Sequence, residues 1–341
     1  MELRIHDFEL PLRHPFGIAR GTTRVAKTMI VELRQGGQAG FGEATENSYY
    51  GYTIESMRSR LEAVRSEIKA TTLDDPVDFW EQMRPALADV PFVQCALDGA
   101  THDLWGKLRG QPVWKLWGLS LDACPLTDYT IGIDEIDVMV KKLGEFQDWP
   151  IFKIKLGTHH DLDIVRTLRQ HTDAVFRVDA NCGWTADETI RNAAPLAELG
   201  VEFIEQPLPP DDWEGMRRVY RESVLPVMAD ESCQTPPDVD RCDGHFHAIN
   251  VKLCKCGGLT PARRMLARAD ELGLKKMVGC MTESTVAMSA IAQLLPMLDY
   301  VDMDGALLLA RDVATGVTIE RGKVRYPNEN GSGIRLLDQP S

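Results

Sequence analysis

Five ionisable residues, Lys155, Asp179, Glu205, Asp230 and Lys252, follow one another at spacings of 24, 26, 25 and 22 residues. Each closes a short apolar run: FKIK, FRVD, VEFIE, PVMAD and AINVK. An apolar segment does not carry a charge toward a core unless something pairs it, so a charge at the same place in five successive repeats marks a ring of groups brought to one height. Their order is base, acid, acid, acid, base. Three convergent carboxylates raise one another's pKa unless a cation compensates. With no His or Cys in the set, oxygen ligation favours a hard divalent ion over zinc, Mg²⁺ before Mn²⁺, one per subunit.

The elements that must hold these residues repeat as well. From about residue 126 the chain alternates short apolar runs with amphipathic stretches, the pattern of βα units in a parallel sheet. Eight runs are expected as strands: Tyr129–Ile133, Phe152–Lys155, Phe176–Asp179, Val201–Glu205, Pro226–Asp230, Ala248–Lys252, Lys276–Cys280 and Tyr300–Asp304. Eight parallel strands close a barrel, with the chemistry on the C-terminal rim. The lysines then fall on the second and sixth strands, half a circumference apart. A substrate carboxylate at the cation would present its α-carbon between two amines. That is the arrangement for a two-base 1,1-proton transfer: one neutral lysine abstracts the α-proton, the cation and a lysine stabilise the enediolate, and the opposite ammonium returns a proton. Lys153, two residues before Lys155, is expected to supply a like charge that favours the neutral amine.

Between these runs lie helical stretches such as Asp161–His171, Thr185–Leu199, Pro261–Leu272 and Ser284–Leu295; PPDVDRCDG after Asp230 offers about one turn, and the eighth helix is missing or displaced. The first 125 residues form a separate α+β unit. Met1–Leu10, Val25–Arg34 and Gln38–Glu43 suggest an antiparallel meander, followed by helices near Ile54–Lys69, Pro76–Leu87 and Val93–Arg109. Segments 14–24 and 43–52, rich in Gly, Arg and Tyr, are expected as irregular lids over the site. The expected division is therefore a cap over 1–125, a barrel over 126–306, and a segment over 307–341 that returns to the cap.

The 341 residues carry a net charge of −13, which argues against a nucleic-acid partner, because phosphate-backbone binders need a basic surface. No run approaches the ~20 apolar residues of a membrane span, and MELRIHDFEL lacks a signal-peptide pattern. A cytoplasmic protein is expected. The eight cysteines include no CxxC pair; Cys254-x-Cys256 and His245-x-His247 are read as structural rather than ligating.

The motifs resemble the enolase superfamily, within it the muconate-lactonizing subgroup with paired lysines. The resemblance rests on FGEAT after the first hairpin, ALDGATHDLWGKLRGQPVWKLWG, the Lys153-x-Lys155 pair, VDANCGW, EQPL, ADES and NVKLCKCGG, and covers essentially the whole chain. Enolase-superfamily sites are themselves a known case of a Lys or His base working with Mg²⁺. The resemblance implies a (β/α)7β modified TIM barrel, an α/β fold, under an α+β N-terminal capping domain. It implies Mg²⁺ ligation by Asp179, Glu205 and Asp230, acid/base roles for Lys155 and Lys252, and support from Lys153, Asn181 and Lys255, with Lys153 also expected to contact the substrate. The branch that uses a His–Asp dyad is excluded, since GCMTES contains no His.

Asp302 and Asp304, in a D-x-D-G segment on the strand opposite Glu205, would meet the far end of a cation-anchored substrate and bind an ammonium there. A carboxylate at one end and an ammonium at the other describes a dipeptide, and the segment resembles that of dipeptide epimerases, including the L-Ala-D/L-Glu type. Arg24 is the expected reader of an acidic side chain, with Arg20 as its competitor, whereas Tyr49, Tyr50 and Tyr52 would favour an apolar one. The enzymatic alternative is an o-succinylbenzoate synthase or N-succinylamino acid racemase; an alternative of another class is a non-catalytic barrel. Fold-level analogy suggests a homo-oligomer.

Overall fold

The computed structural model describes residues 1–18 and 21–337. Three antiparallel strands open the chain: β1 (Glu2–Ile18), β2 (Gly21–Gln35) and β3 (Gln38–Thr45). The segment expected as the first irregular lid is instead the far end of a long hairpin. After a register break between Pro11 and Phe16, pairing resumes with Phe16 opposite Thr23 and Ile18 opposite Gly21. Pro15, which looks irregular in sequence, is absorbed by that break, and Gly17 pairs regularly with Thr22 beyond it. The second expected lid begins as strand, since β3 continues to Thr45, and only then turns back through the Asn47–Tyr52 bridge.

The cap sheet packs on the helix Pro91–Arg109. A Cβ at Gly42 would strike the carbonyl oxygen of Ala96, so the glycine is what allows strand and helix to close. The helix expected over Ile54–Lys69 breaks at Val64 into Ile54–Ala63 and Arg65–Ala70.

Eight parallel strands form the second unit: β4 (Tyr129–Ile131), β5 (Ile151–Lys155), β6 (Val175–Asp179), β7 (Val201–Glu205), β8 (Val227–Ala229), β9 (Ala248–Lys252), β10 (Lys275–Gly279) and β11 (Tyr300–Asp302). They are hydrogen-bonded in sequence order, and a Thr127–Val301 bridge joins the first to the last. A helix follows each of the first seven strands; after the short Asp238–Cys242 and the single turn Leu253–Cys256, the pattern recovers with Leu259–Leu272 and Thr285–Ala292. After β11 a 3₁₀ turn, Gly305–Leu308, stands in place of an eighth helix. This is the (β/α)7β form.

Alternation along the strands decides what reaches the barrel axis. Phe152, Ile154, Phe176 and Val178 point outward into the main apolar core. Phe203, Met228, Ala248 and Met277, with Tyr300 against them, fill the bottom layer. Against it the buried Arg177 guanidinium, beside the Phe203 and Tyr300 rings, donates to Asp128 at 2.9 Å and to Glu202 at 2.9 Å. The top layer is the site. The C-terminal segment returns to the cap helix, where Ser332 N donates to Asp103 at 2.7 Å and Lys107 Nζ donates to the Ile334 carbonyl at 3.0 Å.

Candidate active site

Asp179 and Glu205 end their strands, and Asp230 follows β8 by one residue. One oxygen from each lies within 4.8 Å of the others, and all three side chains are buried. The turns behind them are strained: Asn181, Cys182 and Gln206 have φ of 46°, 66° and 32°. Hydrogen bonds hold those turns in place. Asn181 N donates to Asp179 Oδ1 at 2.9 Å, and Gln206 Oε1 accepts from the backbone N–H of Asp230 at 2.9 Å and of Ser232 at 3.0 Å. Gln206, within EQPL, is a positioning residue of Asp230 that sequence reading did not single out.

Each flanking lysine donates to one acid. Lys155 Nζ is 2.6 Å from Asp179 Oδ2, and Lys252 Nζ is 2.9 Å from Asp230 Oδ2. Their strands, β5 and β9, stand four apart in the eight-strand order, so the amines face each other across the triad. Lys255 donates to Asp230 Oδ1 at 2.6 Å, and Asn250 Nδ2 to Glu205 Oε1 at 2.7 Å.

Lys153 departs from expectation. It is 1% exposed and sits beneath the carboxylates, its Nζ 2.7 Å from Glu205 Oε2, 2.7 Å from Asp302 Oδ2 and 3.4 Å from Asp179 Oδ2. It is absent from the cavity wall. The expected substrate contact is therefore corrected to a fixed counter-charge below the site. Burial opposes the charge on Lys252 most strongly and Lys153 opposes it too, but Asp230, Glu205 and Tyr50 together prevail, so Lys252 stands well above the ordinary lysine value.

The acids are tuned unequally. Burial raises all three, but the lysines hold Asp179 low and Asp230 well below the usual range, whereas Glu205 is pushed up to about 7 by burial and by the charges of its two acidic neighbours. Glu205 Oε2 is buried and, despite the nearby Lys153, lacks a hydrogen bond of good geometry. An oxygen-only trio with one under-satisfied member fits a hard divalent cation.

Asp302 and Asp304 meet Cys280 at the far end of the same cavity. Their partners differ. Asp302 accepts from Lys153 at 2.7 Å, while Asp304, just past the strand, accepts from Thr130 N at 2.6 Å. Burial opposes ionisation of both, yet the lysine charges hold Asp302 down at about 2; Asp304, crowded by Asp302, is pushed up to about 7.

The cavity has a volume of about 480 Å³, with Lys155, Asn181, Asp230, Lys252, Asp302 and Asp304 on its walls. Lys27 of β2 lines it and Arg24 does not; Arg20 lies outside the described residues. Glu43, in the FGEAT motif, was quoted without a role. It accepts from Ser284 N at 3.0 Å and Ala287 N at 3.1 Å, tying β3 to the helix that follows the Met281–Thr282 cavity wall. Cys254, bonded to Glu283, and His247, accepting from Val227 N, are structural.

A barrel rim with three acids between two opposed lysines defines an enzyme that removes and returns a proton beside a carboxylate. The comparisons agree with that class. Residues 1–118 match the mandelate racemase / muconate lactonizing enzyme N-terminal domain, and residues 135–339 the enolase C-terminal domain-like family. The chain belongs to the enolase superfamily, in its mandelate racemase / muconate lactonizing enzyme branch. It is 54% identical to the L-Ala-D/L-amino acid epimerase of Flavobacterium johnsoniae, over 99% of this chain and 100% of the relative. Among solved structures it is similar to the dipeptide epimerase of Methylococcus capsulatus complexed with Mg and L-Arg-D-Lys, with a TM-score of 0.91, 30% identity and 98% coverage of both chains. It also resembles the substrate-liganded L-Ala-D/L-Glu epimerase of Bacillus subtilis, with a TM-score of 0.90, 26% identity and 98% coverage of both chains.

Proposed function

We propose that this chain is a Mg²⁺-dependent dipeptide epimerase that inverts the α-carbon of the C-terminal residue. Asp179, Glu205 and Asp230 are the ligands of the ion, Lys155 and Lys252 the acid/base pair, and Asp302 and Asp304 the receptor for the substrate ammonium. Asn181 and Lys255 hold these groups in place, and Lys153 balances their charge from below. The observation that carries the reading is that two lysines on opposite sides of the barrel each reach a carboxylate of one triad, at 2.6 and 2.9 Å.

When bound, the ion supplies electrostatic stabilisation of the charge that develops on the substrate carboxylate. The protein's own groups do the rest. With the triad's charge shared, Lys252 loses part of the attraction that raises its pKa, so an amine is available to accept the α-proton. The C–H bond breaks toward one lysine while the ammonium opposite delivers a proton to the other face. The configuration inverts, and the two lysines exchange protonation states. Reversal uses the same pair with roles exchanged. At the far end, Asp302 is ionised at neutral pH and fixes the ammonium, which sets the α-carbon between the amines.

The buried acids at that end disfavour an N-succinylated substrate, whose anion would face them. A non-catalytic barrel lacks support because both bases and all three acids are in place. The eight free cysteines fit a reducing cytoplasm, and a homo-oligomer follows from fold analogy. The test is incubation of L,L-dipeptide pools with Mg²⁺ in D₂O, read by mass. Deuterium at the α-carbon of the C-terminal residue is expected; no incorporation in any pool overturns the proposal.

A further inference from the structure

The cavity has a wall that the proton transfer does not use. It is built by the end of the β1–β2 hairpin, the loop after β3 and the loop after β10, and includes Ile18, Thr23, Val25, Tyr49 and Met281. The barrel side is closed by the lysine and carboxylate layer, with Lys153 and Arg177 packed beneath it. A substrate held at the triad by one end and at Asp302 and Asp304 by the other therefore sends the side chain of its central α-carbon toward the cap.

Two large apolar residues wait there. Val25 is 44% exposed and Tyr49 47% exposed, although most large apolar side chains of the described residues are buried. Tyr49 stands edge-on to Tyr50 with ring centroids 4.9 Å apart, so its ring is braced rather than loose. Apolar surface exposed inside a ligand cavity marks the part a ligand covers.

Among the described residues of this wall, Lys27 and Glu46 stand side by side, both partly exposed. Lys27 Nζ lies 4.0 Å from Glu46 Oε1, and Glu46 Oε2 accepts from Ile54 N at 3.2 Å. Of the other lining lysines, Lys155 and Lys252 are held by the triad. An acidic side chain would have to compete with Glu46 for Lys27, and a basic one with Lys27 for Glu46, each while losing water against Val25 and Tyr49.

We infer that the C-terminal residue of the preferred dipeptide is apolar, with Val25 and Tyr49 as the walls of its side-chain subsite. The inference rests on the epimerase reading. Filling or emptying such a pocket by a methylene changes kcat/KM by roughly 10- to 200-fold.

The experiment measures kcat/KM for L-Ala-L-Leu, L-Ala-L-Met, L-Ala-L-Glu and L-Ala-L-Lys with the Mg²⁺-loaded enzyme, then for Val25→Ser, Tyr49→Ser and Val25→Lys. Leu and Met are expected to exceed Glu and Lys by about tenfold or more. Both Ser variants should lower the Leu-to-Glu ratio by several-fold, and Val25→Lys should shift it toward Glu by about tenfold. Both sites are exposed, and retained melting temperatures verify folding. Charged dipeptides turned over as well as apolar ones, or a ratio unmoved by all three variants, overturn the subsite alone. Absence of exchange with every dipeptide overturns the epimerase reading and the subsite with it.

Discussion

At the residue scale, Lys153 carries the largest electrostatic load in the site. Its ammonium is within 3.4 Å of three buried carboxylates. Removing one partner of a buried ion pair leaves uncompensated charge and costs about 3–5 kcal/mol. Lys153→Met should therefore lower the denaturation midpoint at pH 7 by that free energy. Lys155→Ala and Lys252→Ala act on chemistry instead. Each should reduce epimerisation by at least about 10²–10⁴, while each keeps α-deuterium exchange from the face its remaining lysine serves. Chiral analysis of dipeptide recovered from D₂O separates the two, and equal exchange in both epimers by either variant would refute a two-base mechanism. Asp304 adds a pH signature. Burial and Asp302 push its carboxyl up to about 7, so the second negative charge of the ammonium receptor appears only as pH rises through that value. Asp302, held at about 2, does not titrate there. KM for a dipeptide should fall between about pH 6 and 8, and Asp304→Asn should flatten that fall in a pH series of KM.

At the scale of elements, the barrel was readable because five successive strands end in, or run directly into, a charged residue that an apolar run does not otherwise tolerate. Val201–Glu205 and Ala248–Lys252 have the same bounds in sequence and structure. The pairing across 14–24 was not readable, because Pro15 and Gly17 signal irregularity while the ladder that resumes at Phe16 is set by pairing with residues several positions away. The role of Glu43 was hidden for the same reason: its donors, Ser284 and Ala287, are 241 and 244 residues away. A carboxylate at the first turn of the Thr285–Ala292 helix is favourably placed, yet burial and the charge of Glu283 push its pKa up to about 7. Burying that charge costs stability, in full above pH 7, and the cost is relieved as pH falls from about 7 toward the ordinary glutamate value. Relative to Glu43→Gln, the wild type should therefore gain stability on acidification from pH 8 to 5.5, as measured by denaturant midpoints across that range. Glu43→Ala leaves its donors unsatisfied and should cost about 1–3 kcal/mol, with kcat/KM lowered through the slackened Met281–Thr282 wall.

At the scale of the whole molecule, the net charge of −13 is less informative than where the charges stand. The three triad acids are met by four buried ammonium groups, those of Lys153, Lys155, Lys252 and Lys255. The metal-free protein therefore has internal counterions and should fold cooperatively, unlike a small domain whose structure depends on its metal. An ion that binds only the folded state still adds stability by mass action, about 2.7 kcal/mol at a hundred times its Kd. Mg²⁺ titration should raise the melting temperature by several degrees, and a chelator should reverse the rise and abolish epimerisation together. Glu205→Gln should remove the Mg²⁺-dependent part of the shift while leaving the metal-free transition cooperative. Its carboxylate is the one that burial and its acidic neighbours push up to about 7, so its neutral isostere relieves repulsion at the same time as it deletes a ligand. Thermal melts of both proteins with and without Mg²⁺ measure this directly: a wild-type melting temperature insensitive to the ion, or a Glu205→Gln shift equal to that of the wild type, would refute the assignment of the triad as the metal site.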